Sequence, residues 1–211
     1  MITMKSNVTR QAIVTPEEAL LRLKEGNFRF INNMLVHKDL LSSVEETKDG
    51  QQPYAAIVSC MDSRTSAELI FDQGVGDIFS IRIAGNVITD SILGSLEYAT
   101  VVAGAKLVLV LGHTNCGAIK GACDHVKLGH LSSLLARVDP AIAMGNKLFD
   151  KDRTSDNADY VAAVTKFNIQ HSMSEILSRS SIIKELADQK KVAIAPAIYN
   201  VATGKVSFSG F

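Results

Sequence analysis

"LVLVLGHTNCGA", residues 107–118, sets two kinds of sequence side by side, and their junction decides the fold. Leu107–Leu111 alternates leucine with valine and carries no polar residue, so neither side of it is dressed for water. An apolar run of that length fits a strand covered on both faces, as in a parallel sheet. Polar and glycine residues follow at once. His113 and Cys116 therefore fall just past the carboxyl end of that strand.

The same arrangement recurs along the chain. Ala55–Ser59 reads as a buried strand, followed by CMDSR (60–64) and a short helix over Thr65–Phe71. DIFSIRI (77–83) reads as a second strand, then the loop AGN and a helix over 90–103. Helical patterns return at 131–138 and 156–190, before a last strand VAIAPAIYNV (192–201), a turn at Thr203-Gly204 and KVSF (205–208). Strands alternating with helices predict an α/β fold: a mainly parallel central β-sheet with an antiparallel edge strand, flanked by helices.

Upstream, Thr15-Pro16-Glu17-Glu18 is a helix start, with a hydroxyl cap, proline in the first turn and acids after it. Leu20, Leu23, Phe28 and Ile31 give that helix an apolar side, with Gly26 as its weak point, and 36–52 reads as a polar loop. No repeat or linker divides the 211 residues. We read one domain, with residues 1–50 as an N-terminal helical arm and 51–211 as an α/β core.

Composition narrows the function. Apolar residues make up 46% of the chain, enough for one sizeable core. Lysine plus arginine and aspartate plus glutamate both number 22, so no global field draws the protein to nucleic acid. The window 93–112 is apolar, but Glu97, Lys106 and its glycines argue against a membrane span. MITMKSNVTRQ at the amino terminus lacks the apolar core of a signal peptide, and three cysteines do not make a disulfide scaffold. The expectation is a soluble, cytoplasmic protein.

Open parallel sheets bind ligands in the crevice outside the carboxyl ends of their strands. CMDSR and GHTNCGA are thus expected at one crevice although 47 residues, 65–111, separate them. Cys60 and Cys116 offer soft sulfur donors and His113 an imidazole, a set that suits zinc. The start of a helix at Cys116 favours its thiolate. Glycines at 112 and 117 are expected to turn the chain tightly on either side of the donors. Taken singly, each cysteine reads more readily as a small buried hydrophobe and His113 as a hydrogen-bonded core residue; it is the three together that point to a metal. Cys123 reads as structural.

In an extended segment, residues 60, 62 and 64 point the same way. Asp62 beside a metal either fills a fourth coordination position or accepts a proton from a water there, and Arg64 keeps it ionised and oriented. Three protein ligands plus water is the catalytic pattern and four closed ligands the structural one. The plain alternative for Asp62–Arg64 is a surface ion pair.

CMDSR, GDIFSIRIAGN (76–86), GSLEYA (94–99) and GHTNCGA together resemble the β-class carbonic anhydrases, as do the opening TPEEALLRLKEGNFRF and the ending AIYNVATGKVSF. The resemblance implies one Zn2+ per subunit on Cys60, His113 and Cys116, with Asp62 as fourth ligand in a closed state, and Asp62 and Arg64 as the catalytic dyad. It implies substrate contacts from Gln51, Phe79 and Tyr98, supplied largely by a partner subunit, and so a homodimer or homotetramer. The implied reaction is reversible hydration of carbon dioxide to bicarbonate and a proton. Alternatives are hydrolysis of carbon disulfide or carbonyl sulfide at the same site, or a structural zinc module that assembles a dimer. Three departures stand out. Met61 and Ile83 replace a small and a polar residue, and Ile57 stands where one subgroup has the tryptophan of an inhibitory bicarbonate pocket.

Overall fold

The computed structural model describes residues 15–36 and 38–208, and the amino-terminal stretch read for a leader lies outside them. Helix α1 spans Pro16–Ile31. The Thr15 hydroxyl accepts from the Glu18 N–H at 3.2 Å, and the Thr15 N–H donates back to the Glu18 carboxylate at 3.2 Å. Gly26 is not a weak point of that helix but its place of closest approach. A Cβ there would lie 1.8 Å from the Phe71 carbonyl oxygen, so only glycine lets the helix sit this low.

The loop expected over 36–52 contains a helix, α2, over Leu40–Thr47. Asp39 caps it by accepting from the Ser42 N–H at 3.0 Å. None of its residues is buried, and Leu40, Leu41 and Val44 face outward. Eight residues with apolar side chains at three positions are too few to print a helical period.

The core then follows in order: β1 (Ala55–Ser59), α3 (Ala67–Ile70), β2 (Ile78–Arg82), α4 (Asp90–Glu97), β3 (Leu107–His113) and α5 (Gly117–Cys123). After it come α6 (Gly129–Leu135), α7 (Asp139–Gly145), α8 (Ala158–Arg179), α9 (Ser181–Asp188), β4 (Ala193–Tyr199) and β5 (Val206–Ser207). α4 runs on into a wider π turn at Tyr98–Val102. The expected 156–190 helix breaks at Ser180, whose hydroxyl accepts from the Ile183 N–H at 3.2 Å and donates to the Glu97 carboxylate at 2.6 Å. That side chain opens a new helix where the backbone turns extended.

The sheet order is β2-β1-β3-β4-β5; the first four strands are parallel and β5 is an antiparallel edge. β1 and β3 are buried at every position. On one face, Ile57, Leu107, Leu109 and Leu111 meet Leu23 of α1 and Ile70 and Phe71 beside α3. On the other, Val58, Val108 and Val110 meet Ile92 and Leu96 of α4 and Ile169 and Ile176 of α8. Helices on both faces explain why neither strand alternates polar with apolar. The chain leaves β1 toward β2 and returns to β3 on β1's other side. The carboxyl ends of β1 and β3 therefore flank the topological switch point.

Candidate metal centre

Ser59 pairs with Leu111 across β1 and β3, so Cys60 leaves the sheet beside Gly112 and His113. His113 is the last residue of β3, and Thr114 extends the pairing by donating its N–H to the Tyr199 carbonyl at 3.0 Å. The turn into α5 is made by Asn115, at φ 55°. That corrects the role expected of the glycines, since asparagine tolerates the left-handed region. Gly112 sits inside β3, where a Cβ would lie 2.6 Å from Ile169 Cδ1, so its smallness lets α8 pack on the strand. Cys116 is the residue before α5, as the sequence predicts.

The result is one cluster. The donor atoms of Cys60, His113 and Cys116 all lie within 4.8 Å of one another, and all three residues are buried. Two sulfurs bound at about 2.3 Å with a tetrahedral angle stand about 3.8 Å apart. Cys60 Sγ and Cys116 Sγ are 3.8 Å apart. The imidazole is already aimed: His113 Nδ1 bonds the Thr114 carbonyl at 2.9 Å, which leaves Nε2 buried with no hydrogen-bond partner. An orphaned buried nitrogen beside two sulfurs is costly unless a cation takes its lone pair. The donor set therefore fits zinc. Behind it lies an apolar shell that includes Val87, Ile119, Leu135, Val138 and Val164.

The thiols also show the strain that a cation would relieve. The S–H of Cys116 first, then His113 and the amides of Asp62 and Gly85, lower the Cys60 thiol against the opposing effect of burial. Cys116 is pushed up by its bond to Cys60, by burial and by the Cys60 charge. The pair gives up one proton readily and holds the second against the first thiolate.

Asp62 stands beside this cluster but outside it. Arg64 donates from Nε to Oδ1 at 2.9 Å and from Nη2 to Oδ2 at 2.7 Å, and its backbone N–H also reaches Oδ1 at 2.9 Å. The Arg64 bonds hold the carboxyl well below the usual carboxylate range despite partial burial. Its Oδ2 lies 4.0 Å from His113 Nε2. The pair meets through a turn, with the Thr65 N–H bonding the Asp62 carbonyl at 3.0 Å, and not through the extended segment expected. The aspartate's own side chain nucleates that turn, which alternation alone does not reveal. Met61 projects outward at 64% exposure, clear of the donors, while Ile57 is a core residue.

Gln51, Phe79 and Tyr98 are not gathered at the cluster within one chain. Gln51 is exposed before β1, at the opposite end of that strand from Cys60. Phe79 and Tyr98 pair edge to face at 6.2 Å in an open groove of about 410 Å3 on the β2 edge. That groove is lined also by Ser80, Ile81, Ser91, Gly94 and Ser95, and by no member of the cluster. Cys123 is buried in the apolar shell as expected.

Two supporting residues went unread in the sequence. Arg82 donates to the carbonyls of Cys60 at 3.3 Å, Met61 at 3.1 Å and Asp62 at 2.6 Å. Thr65 Oγ1 lies 2.9 Å from the Cys60 carbonyl and 2.8 Å from that of Asp62. Together they hold the loop's backbone oxygens on one side. Main-chain carbonyls have no signature in a sequence, so neither partner is legible there.

Comparison with known proteins agrees with the geometry. A family model described as carbonic anhydrase matches residues 55–206. Carbonic anhydrase 2 of Mycobacterium tuberculosis is 34% identical over 198 residues, covering 90% of this chain and 91% of its own. A carbonic anhydrase of Mycolicibacterium smegmatis is 34% identical over 200 residues, covering 90% and 92%. Among solved structures, the β-carbonic anhydrase CcaA matches at TM-score 0.70 and 26% identity, over 89% of this chain and 93% of that one. The β-carbonic anhydrase CafA of Aspergillus fumigatus shares the fold at TM-score 0.71 and 23% identity, over 92% and 89%. The chain belongs to the carbonic anhydrase family, in its β class.

Proposed function

We propose that this protein catalyses the reversible hydration of carbon dioxide to bicarbonate and a proton. Cys60, His113 and Cys116 would hold one zinc ion per subunit. The observation that carries the reading is the engagement of Asp62 by Arg64 beside a three-donor cluster, since three protein ligands is the count of a catalytic site. A structural site has no use for a residue that turns its carboxylate away. Zinc held there supplies Lewis acidity that makes a water nucleophilic near neutral pH.

The remaining work belongs to the chain's own groups. Asp62, kept ionised by Arg64, accepts a hydrogen bond from the attacking water and points an oxygen lone pair at the carbon. The water oxygen bonds that carbon, one C=O bond opens to give bicarbonate, and one proton is released. So low a pKa makes Asp62 a poor store for that proton, which leaves to solvent buffer. Gln51, Phe79 and Tyr98 would contact substrate only across a subunit boundary, so a homodimer is the minimal active unit, alone or paired into a tetramer. The outward-facing Leu40, Leu41 and Val44 of α2 are apolar surface that such assembly would cover. Among the described residues no helix is long and apolar enough to cross a membrane.

The test is zinc content together with carbon dioxide hydration for the wild type and Asp62→Ala. A zinc-loaded wild type with no hydration activity from neutral to alkaline pH would end the proposal. Sedimentation of the active species tests the dimer.

A further inference from the structure

Gly85 and Asn86 follow β2 with two consecutive positive φ angles, 69° and 45°. This turn brings the Gly85 N–H to 3.4 Å from Cys60 Sγ. It is gripped from behind by α8, more than eighty residues away in the chain. Asn168 Nδ2 donates to the Gly85 carbonyl at 2.8 Å, and Ser172 Oγ donates to the Asn86 carbonyl at 3.1 Å. Four residues apart, the two side chains lie on one helix face, and each is 1% exposed.

We propose that Asn168 is a positioning residue for the metal centre, acting with Ser172 through the Gly85–Asn86 turn on the Cys60 sulfur. The inference rests on the zinc site proposed above. An asparagine among Val164, Ile169 and Ile176 is an expensive core residue, and its Oδ1 has no hydrogen-bond partner. A leucine would fill the same space without that penalty. What leucine lacks is the donor that fixes the peptide after Gly85. With both carbonyls held, the turn keeps its left-handed conformation at Gly85 and Asn86. The Gly85 N–H is then fixed on the Cys60 sulfur, where it draws charge from a thiolate ligand. Hydrogen bonds of this kind, one shell behind a metal, set ligand orientation and metal affinity.

The test uses the full-length protein and three variants: Asn168→Leu, Asn168→Asp and Ser172→Ala. Zinc affinity is read by competition with a chromophoric chelator, and the thiolate-to-metal charge-transfer band after cobalt substitution. Urea midpoints report stability separately. Asn168→Leu and Asn168→Asp are expected to bind zinc about 10- to 100-fold more weakly and to shift the band. Ser172→Ala is expected to move both readouts the same way by less. Folded variants that keep zinc affinity within about twofold, with an unmoved band, would overturn the inference even if their urea midpoints fall. Should the Asn168 variants fail to fold, Ser172→Ala decides on the same two readouts. A wild type that binds neither metal through its thiolates overturns the zinc site, and this inference with it.

Discussion

Arg64 occupies both carboxylate oxygens of Asp62, at 2.9 Å and 2.7 Å, while Asp62 Oδ2 stands 4.0 Å from His113 Nε2 of the metal-donor cluster. The arginine and the donor cluster thus stand as rival partners for one carboxylate. A salt bridge that decides where an acid rests has a different use from one that adds stability.

Arg64→Ala should therefore impair catalysis without emptying the site. Zinc content is expected to stay near wild type while kcat/KM for carbon dioxide falls by about 100-fold or more, since the acceptor is no longer held in place. Stopped-flow hydration alongside metal analysis checks this. Activity within a few-fold of wild type would contradict the role given to the pair.

Cys60→Ser should lose metal and activity together, because an alkoxide is a poor substitute for a thiolate on zinc. Removing zinc from the wild type with a chelator should lower its melting temperature, and readdition should restore it. Bound at about 1,000 times its Kd, the ion would contribute about 4 kcal/mol. An unchanged melting curve would mean that the donors hold no ion.

Asp72 ties the segment after α1 to the core. It accepts from Lys38 Nζ at 2.6 Å, Arg29 Nε at 2.5 Å and the Val36 N–H at 3.3 Å, with its side chain 3% exposed. Burial pushes its pKa up, but Lys38, Arg29 and the Val36 amide outweigh it and the net shift is down. A depressed folded pKa stabilises the protein above the unfolded value of about 3.9, and that contribution disappears as pH falls through the folded value. Asp72→Asn should cost about 2 kcal/mol at neutral pH, the loss expected for hydrogen bonds made to a charged group. Urea titrations of both proteins should show the gap closing below about pH 4.

Gly26→Ala offers a test in which local propensity and packing oppose each other. Alanine is the better helix former by about 1 kcal/mol. Its methyl would, however, fall 1.8 Å from the Phe71 carbonyl oxygen, a contact relieved only by moving α1 off α3. We expect a net destabilisation of about 2 kcal/mol in urea unfolding. A stabilised variant would show that the helix can shift freely.

Much of the fold could be read along the chain. The apolar runs Ala55–Ser59 and Leu107–Leu111 are strands at those positions because burial on both faces leaves an unbroken pattern. Thr15 and Pro16 mark a helix start because capping is local chemistry. α2 was illegible because none of its residues is buried, so no apolar face marks it in the sequence, and the break at Ser180 because its partner, Glu97, lies far away in sequence.

The sequence by itself determined the donor set: two thiols and an imidazole placed just beyond two buried strands. Residue type and distance from a strand end are local properties, so Cys60, His113 and Cys116 stood out as a candidate set, though none of them did so singly. Tertiary structure decided what surrounds them. Strand order put β1 beside β3, a turn and not an extended run joined Asp62 to Arg64, and α8 reached across the sheet to hold Gly85 and Asn86. Hydrogen bonds to main-chain carbonyls are set by how elements pack. Any residue has such a carbonyl to offer, and so the sequence alone leaves them unmarked.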